Sequence, residues 1–320
     1  MITRADIEDA KAIVGSVMGP TPQYAWPLLS RRAGLELVVK HENHTPTGAF
    51  KVRGGLVYLQ RLLRSGKRPA GLISATRGNH GQSIAYAAKR NGIPATIVVP
   101  RGNSPEKNAA MRAFGAELVE HGPDFDAAKA EAARLAEARG LSFVPAYHPS
   151  LVAGVATYAL ELFGAFPGLA KVYVPIGLGS GISGVIAIRD LLQLKTRVIG
   201  VVSEKAAGYK LSFEAGHVIA TNSAATFADG MAVREPHPDA LTYIRRGAEK
   251  IITLSEDEIA DAVRLYFEAI HNIAEGAGAA PLAAAIKDND GSGPVGVILS
   301  GGNIDRPAFC RILAGETPAA

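Results

Sequence analysis

The chain has 320 residues, 48% hydrophobic and 20% charged, which supplies a sizeable core and excludes a disordered chain. Its 34 basic and 30 acidic residues leave a net charge of +4 with no Lys/Arg block, so nothing argues for a nucleic-acid partner. One cysteine, Cys310, excludes an intramolecular disulfide and a cysteine-based zinc site. The length fits two units of ordinary domain size or one large α/β domain with an insert. The opening residues MITRADIEDAK carry early acids and no apolar run, unlike a signal peptide. The uncharged stretch 172–188 holds Pro175 and four glycines and is shorter than the ~20 apolar residues of a spanning helix. These features predict a cytoplasmic protein with no membrane partner.

In chain order, the pattern predicts a strand over 35–40, a helix over 51–64, a strand over 72–75 and a helix over 82–91. A strand over 95–99, a helix over 105–114, a strand over 117–120 and helices over 124–139 and 151–163 follow. The second half continues with strand 172–176, helix 182–193, strand 198–202, helices 256–272 and 277–287, and strand 295–299. Short β-branched runs alternating with Ala/Leu/charge segments predict an α/β protein of parallel strands with helical crossovers. Two series are visible, one over about 70–145 and a longer one after His148. By periodicity the segment before Ser65 fits either. Cys310 is expected on the core face of a helix.

Four polar or glycine-rich turns sit between predicted strands and helices. Val174 to Gly184 reads VPIGLGSGISG. Glycines let a backbone approach a ligand, and its N–H groups with a helix start make an anion cradle. The bland reading is a tight turn packed by glycine. Gly179, Gly181 and Gly184 with Glu204 also pass as a dinucleotide fingerprint, which points to an NAD-dependent oxidoreductase instead. Thr45 to Gly54 reads TPTGAFKVRG and places one lysine, Lys51, beside Phe50 at a helix start. Most such lysines are merely solvated; a desolvated one becomes a reactive amine. Thr76 to Gln82, TRGNHGQ, is a turn whose donors suit an anionic or phenolic oxygen, and Ser300 to Asn303, SGGN, follows the last strand. Either is also an ordinary turn or helix cap. Carboxyl ends of parallel strands converge on one crevice, and the joint occurrence outweighs each turn alone.

These segments, in this order, resemble the pyridoxal-phosphate enzymes of the threonine/serine dehydratase type, the second fold type of that cofactor class, with a phenylserine dehydratase branch. The resemblance runs from Thr21 to Asn303. It implies two open-sheet, mostly parallel α/β domains with the cofactor in the cleft between them: 1–68 plus 148–320 as the large cofactor-binding domain and 69–147 as the small one. It implies pyridoxal 5'-phosphate as cofactor and Lys51 as the Schiff-base lysine. Phe50 would pack on the ring, Gly177, Leu178, Gly179, Ser180 and Gly181 would cradle the phosphate, and Asn79 would meet the phenolic oxygen. Ser300 would meet the pyridine nitrogen, with Glu275 near the ring. Thr76, Arg77, Gly78, Asn79 and His80 would form the loop that takes the substrate carboxylate. Leu178 and Ser180 stand where the family usually has glycine, which leaves backbone N–H donors unchanged.

The implied reaction is β-elimination from a 3-hydroxy-α-amino acid, giving a 2-oxo acid and ammonia. Threonine and serine are the default substrates; Arg77 and the altered glycine loop leave room for L-threo-3-phenylserine. A serine/threonine racemase is the alternative, but racemising members often carry serine where this chain has Arg77, and a guanidinium cannot relay a proton. The family's divalent-metal segment is not matched: Glu204 is offset and no aspartate follows, so no metal is predicted. The resemblance also implies a homo-oligomer, a dimer first. His148, Thr157 and Tyr158 are expected by the crevice, and Asp229-Gly230 as a turn over it.

Overall fold

A computed structural model describes residues 2–66 and 68–319. The first unit of structure is α1 (Arg4–Gly15), started by a capping box between Thr3 and Asp6. Then come β1 (Gln23–Ala25), α2 (Pro27–Ala33), β2 (Leu37–His41) and α3 (Lys51–Arg64). A second run comprises β3 (Leu72–Ala75), α4 (Asn79–Arg90), β4 (Ala95–Val99), α5 (Pro105–Ala113), β5 (Glu117–Glu120), α6 (Phe125–Arg139) and β6 (Ser142–Phe143). The third holds α7 (Pro149–Ala165), β7 (Lys171–Pro175), α8 (Ser180–Leu191), β8 (Arg197–Ser203), α9 (Gly208–Ala215) and α10 (Pro238–Gly247). It closes with β9 (Lys250–Leu254), α11 (Glu256–Ile270), α12 (Gly276–Lys287), β10 (Val295–Leu299) and α13 (Arg306–Leu313).

The strands form a six-stranded sheet of order β1-β2-β10-β7-β8-β9 and a four-stranded sheet of order β5-β4-β3-β6. Every pairing is parallel except β1 with β2. The last strand, β10, lies between β2 and β7, with Leu299 in register with His41 and Val297 with Tyr173. All residues of β2, β3, β4 and β10 are buried, as expected for parallel strands covered by helices on both faces.

Two close approaches lock the helices that carry the turns. A Cβ on Gly154 would lie 2.3 Å from the Arg53 carbonyl oxygen, so only glycine lets α7 touch the first turn of α3. A Cβ on Gly184 would lie 3.0 Å from Ala156, which fixes α8 against α7. A buried ion cluster ties the same elements. Arg53 donates to Glu42 at 2.8 Å and to Glu161 at 2.6 Å, and Lys40 donates to Glu161 at 2.5 Å. Arg53 and Glu42 are wholly buried.

Seven predicted strands and eight predicted helices correspond to elements of the fold, some with shifted ends. Two shifts matter: α4 begins at Asn79 and α8 at Ser180, earlier than the periodicity of 82–91 and 182–193 indicates. Apolar periodicity cannot register a first turn made of Asn, His, Ser and Gly. The short or half-exposed strands β1, β6 and β9 go unpredicted, as do the helices α1, α2, α9, α10 and α13. The expectation for Cys310 is corrected: it is exposed. The buried face of α13 runs through Ile312 with Phe309 partly covered, and Cys310 falls about 100° away from Phe309. Among the described residues, no helix is long and apolar enough to cross a membrane.

Candidate active site

The crevice is built at the carboxyl ends of β10, β7 and β3. Chain leaving β10 runs beside the turn before α3: Ala49 and Gly301 form an isolated bridge, and Phe50 N–H donates to the Ser300 carbonyl at 3.0 Å. That contact places Phe50 and Lys51, the cap and first residue of α3, directly over the end of β10. Lys51 Nζ donates to Ser180 Oγ at 3.3 Å and lies 4.9 Å from the Phe50 ring centroid. Burial pushes the Lys51 amine down to about 8, against the opposing pull of the Glu275 charge. From α4, Ser83 Oγ donates to the Lys51 carbonyl at 2.7 Å and fixes the helix start.

The glycine loop follows β7. Gly179 has φ +95°, a left-handed conformation that suits glycine, and serves as the N-cap of α8. A Cβ on Gly177 would sit 2.3 Å from the Gly230 carbonyl oxygen, so the loop also needs glycine where Asp229–Met231 crosses it. Two tyrosines anchor the loop carbonyls. Tyr209 donates to Leu178 O at 3.0 Å and Tyr158 to Gly181 O at 3.1 Å. The N–H groups of Gly177, Leu178 and Gly179 meet no acceptor among the described residues. The first N–H groups of α8 add to them by helix geometry. Gly184, the last glycine of the dinucleotide-like spacing, packs on α7, and Glu204 is exposed on a short 3₁₀ turn after β8. That spacing is thus explained by packing.

After β3, the Thr76 hydroxyl accepts from Gly78 N at 2.9 Å and Gly81 N at 3.3 Å, which folds the turn onto the start of α4. Asn79 Nδ2 donates to Glu275 Oε1 at 2.7 Å, while Asn303 Nδ2 donates to Asn79 Oδ1 at 2.8 Å. The amide is therefore held from both ends. Glu275 is buried, and burial pushes its carboxyl up to about 7 despite Lys107 nearby. His80 is buried, its Nε2 unpartnered, and burial with the Lys51 charge pushes its ring down to about 3, so it is neutral. Arg77 is exposed and makes no hydrogen bond or ion pair among the described residues. Ser300 is 4% exposed and its hydroxyl has no partner among the described residues.

The structure thus brings Phe50, Lys51, Asn79, Ser180, Glu275 and Ser300 to one crevice, with Thr76, Gly78 and His80 on its wall and Arg77 turned to solvent. Tyr158 lies behind the glycine loop. Thr157 sits in the buried ion cluster, accepting from Arg53 at 3.0 Å. His148 caps α7 through Nδ1, which accepts from Ser150 N at 3.1 Å. The sequence reading missed Lys107, whose Nζ reaches Asp229 Oδ2 at 2.5 Å and Glu275 Oε2 at 3.5 Å. It also missed the side-chain contact of Asn303. The proximity of Asn303 to Ser300 was the one available signal.

A family model described as pyridoxal-phosphate dependent enzyme matches residues 14–301. The chain is 36% identical to the L-threonine ammonia-lyase of Thermotoga maritima, over 98% of this chain and 78% of that one. It is 30% identical to the L-threo-3-hydroxyaspartate ammonia-lyase of Saccharomyces cerevisiae, over 98% of this chain and 97% of that one. Among solved structures, a pyridoxal 5'-phosphate-dependent aspartate racemase superposes with a TM-score of 0.91 at 29% identity, covering 96% of this chain and 98% of that one. The residues present fit the cofactor: unaccepted N–H groups for a phosphate stand next to a largely buried lysine whose amine is held well below its ordinary range. The family match encloses every turn of the crevice up to Gly301, and the chain belongs to the pyridoxal-phosphate dependent enzymes.

Proposed function

We propose that this enzyme is an ammonia-lyase that eliminates water from a 3-hydroxy-α-amino acid, leaving a 2-oxo acid and ammonia. The observation that carries the reading is Lys51: one largely buried amine, 3.3 Å from Ser180 at the mouth of a loop with unaccepted N–H donors. The names of the two ammonia-lyase relatives support it. In this reading the crevice separates 1–68 plus 148–320 from 69–147, and the enzyme works as a homodimer.

Lys51 would hold the cofactor aldehyde, Gly177 to Gly181 its phosphate, Phe50 its ring, Asn79 its phenolic oxygen and Ser300 its pyridine nitrogen. When bound, pyridoxal phosphate supplies an electron sink for charge developing at the substrate Cα. The chain supplies the rest. With an amine pushed down to about 8, Lys51 is neutral often enough near neutral pH to take the Cα proton. The start of α4 presents unpaired N–H groups to the substrate carboxylate, and the Thr76 hydroxyl, already accepting two N–H groups, holds that turn in shape. A serine at position 300 offers a neutral partner, which does not favour a protonated ring and so favours prompt loss of the β-hydroxyl.

Likeness to an aspartate racemase raises racemisation as the second reading. That reaction needs a proton returned to the opposite face of Cα, and a guanidinium such as that of Arg77 cannot relay one. Racemisation is therefore slow or absent here. Threonine and serine are the default substrates, with L-threo-3-phenylserine as the bulkier candidate. A panel of 3-hydroxy amino acids scored for ammonia release tests the reading. Release from at least one, lost in Lys51→Ala together with the visible absorbance of the purified protein, is expected. A fully active Lys51→Ala variant would end it.

A further inference from the structure

Glu275 stands at the start of α12, 3% exposed, and groups of opposite charge face it from other elements. Lys107 comes from α5, its Nζ 3.5 Å from Glu275 Oε2 and 2.5 Å from Asp229 Oδ2. Lys107 is 6% exposed, and its stem is packed against the turn before α4: a Cβ on Gly78 would sit 2.5 Å from Lys107 Cδ. One ammonium thus serves two carboxylates, and the shorter bond goes to Asp229. Glu275 keeps only partial compensation for its burial. Its carboxyl is raised by burial first, lowered by Lys107 and raised again by Asp229. The other charge facing it is Lys51 at the start of α3, while Asp305 acts on Lys107. On its second oxygen Glu275 accepts the amide of Asn79, which Asn303 holds from behind.

We propose that Lys107 and Asp229 are positioning residues for the reaction: by dividing one ammonium between Asp229 and Glu275, they set the charge on Glu275 and, through it, the orientation of the Asn79 amide. The inference rests on the reading of the crevice as the active site, in which Asn79 faces the cofactor. An ionised Glu275 accepts a charge-assisted hydrogen bond from Asn79 Nδ2 and keeps the second Nδ2 hydrogen aimed away from itself. A protonated Glu275 holds that amide more weakly and offers a competing donor. The two neighbours act with opposite sign. Without the Lys107 charge, Glu275 is left with burial and the repulsion of Asp229. Without the Asp229 charge, Lys107 turns to Glu275, with Asp305 its remaining acidic neighbour. A purely structural role gives no reason for opposite effects.

The test uses cofactor-loaded protein labelled with ¹³C at the glutamate carboxyls, with the Glu275 resonance assigned by its loss in Glu275→Gln. Lys107→Met is expected to raise the Glu275 midpoint by about one pH unit or more, and Asp229→Asn to lower it by about one. Lys107→Arg, which keeps the charge, should return the midpoint most of the way. The acid limb of kcat/KM for ammonia release should move with the midpoint. An unmoved midpoint in Asp229→Asn, or shifts of the same sign in both variants, overturns the proposal. If Lys107→Met fails to fold, the near-isosteric Asp229→Asn decides alone. Opposite shifts in a protein that releases no ammonia from any 3-hydroxy amino acid would leave the coupling standing and remove the reaction reading. Ammonia release with fixed midpoints would do the reverse.

Discussion

At the scale of single residues, the crevice depends on atoms held without slack. Asn303 spends its Nδ2 on Thr47 O and Asn79 Oδ1, both at 2.8 Å. Asn303→Ala removes the restraint on Asn79, and the loss of one such bond, ~1 kcal/mol, is expected to lower kcat by roughly five- to tenfold with cofactor still bound. Steady-state kinetics beside an absorbance titration checks this. Ser300→Ala should likewise retain cofactor and slow the reaction; unchanged kinetics would remove Ser300 from the role proposed for it. Lys51, Asn79 and the 177–181 loop were legible because each motif is contiguous. The Lys107–Asp229 pair was not, since the two meet across 122 residues of sequence, although Asp229-Gly230 was expected as a turn over the crevice. A lysine inside an Ala-rich helix and an Asp before glycine both look like solvent-facing choices until packing buries the lysine.

Among elements, the decisive features are where helices begin and how closely they pass. The strands β3, β4, β5 and β10 were legible to the residue because their β-branched runs end at turn residues. The starts of α4 and α8 were not, although their first residues carry the polar contacts of the site. The sequence signal of a functional helix start is the absence of apolar periodicity, which is also the signal of a loop. Close packing behind these starts is testable at Gly154. Gly154→Ala forces a methyl against the Arg53 carbonyl and should cost ~1–3 kcal/mol in urea unfolding, with a shift in activity because the same contact seats the helix that begins at Lys51. A variant as stable as the parent would show that α7 and α3 separate easily.

For the whole molecule, electrostatics inside the larger sheet's helices decides the response to acid. Arg53→Met leaves Glu42 and Glu161 buried with less compensation and should destabilise by ~3–5 kcal/mol, measured by urea or thermal unfolding. The Glu161 carboxyl is shifted: burial raises it most, and the Arg53 and Lys40 contacts together outweigh that and bring it below its ordinary 4.5. A carboxyl lowered on folding contributes stability that is present above pH 4.5 and is lost as the pH falls through its folded value. Glu275 runs the other way, since its raised value makes stability fall as the pH climbs from 4.5 to about 7. Melting temperatures of wild type and Glu275→Gln should therefore run parallel below pH 4.5 and change relative to one another between 4.5 and 7. Curves that stay parallel through that window would contradict the burial of Glu275. The position of β10 between β2 and β7 has a temporal consequence. On the ribosome, the stretch bearing Lys51 emerges before β10, and the sheet that frames it has a gap until Leu299 has been made. The four-stranded sheet, complete by Phe143, is free to fold during that wait. Catalytic competence thus waits for β10, and chaperone demand should concentrate in the interval before that strand is made.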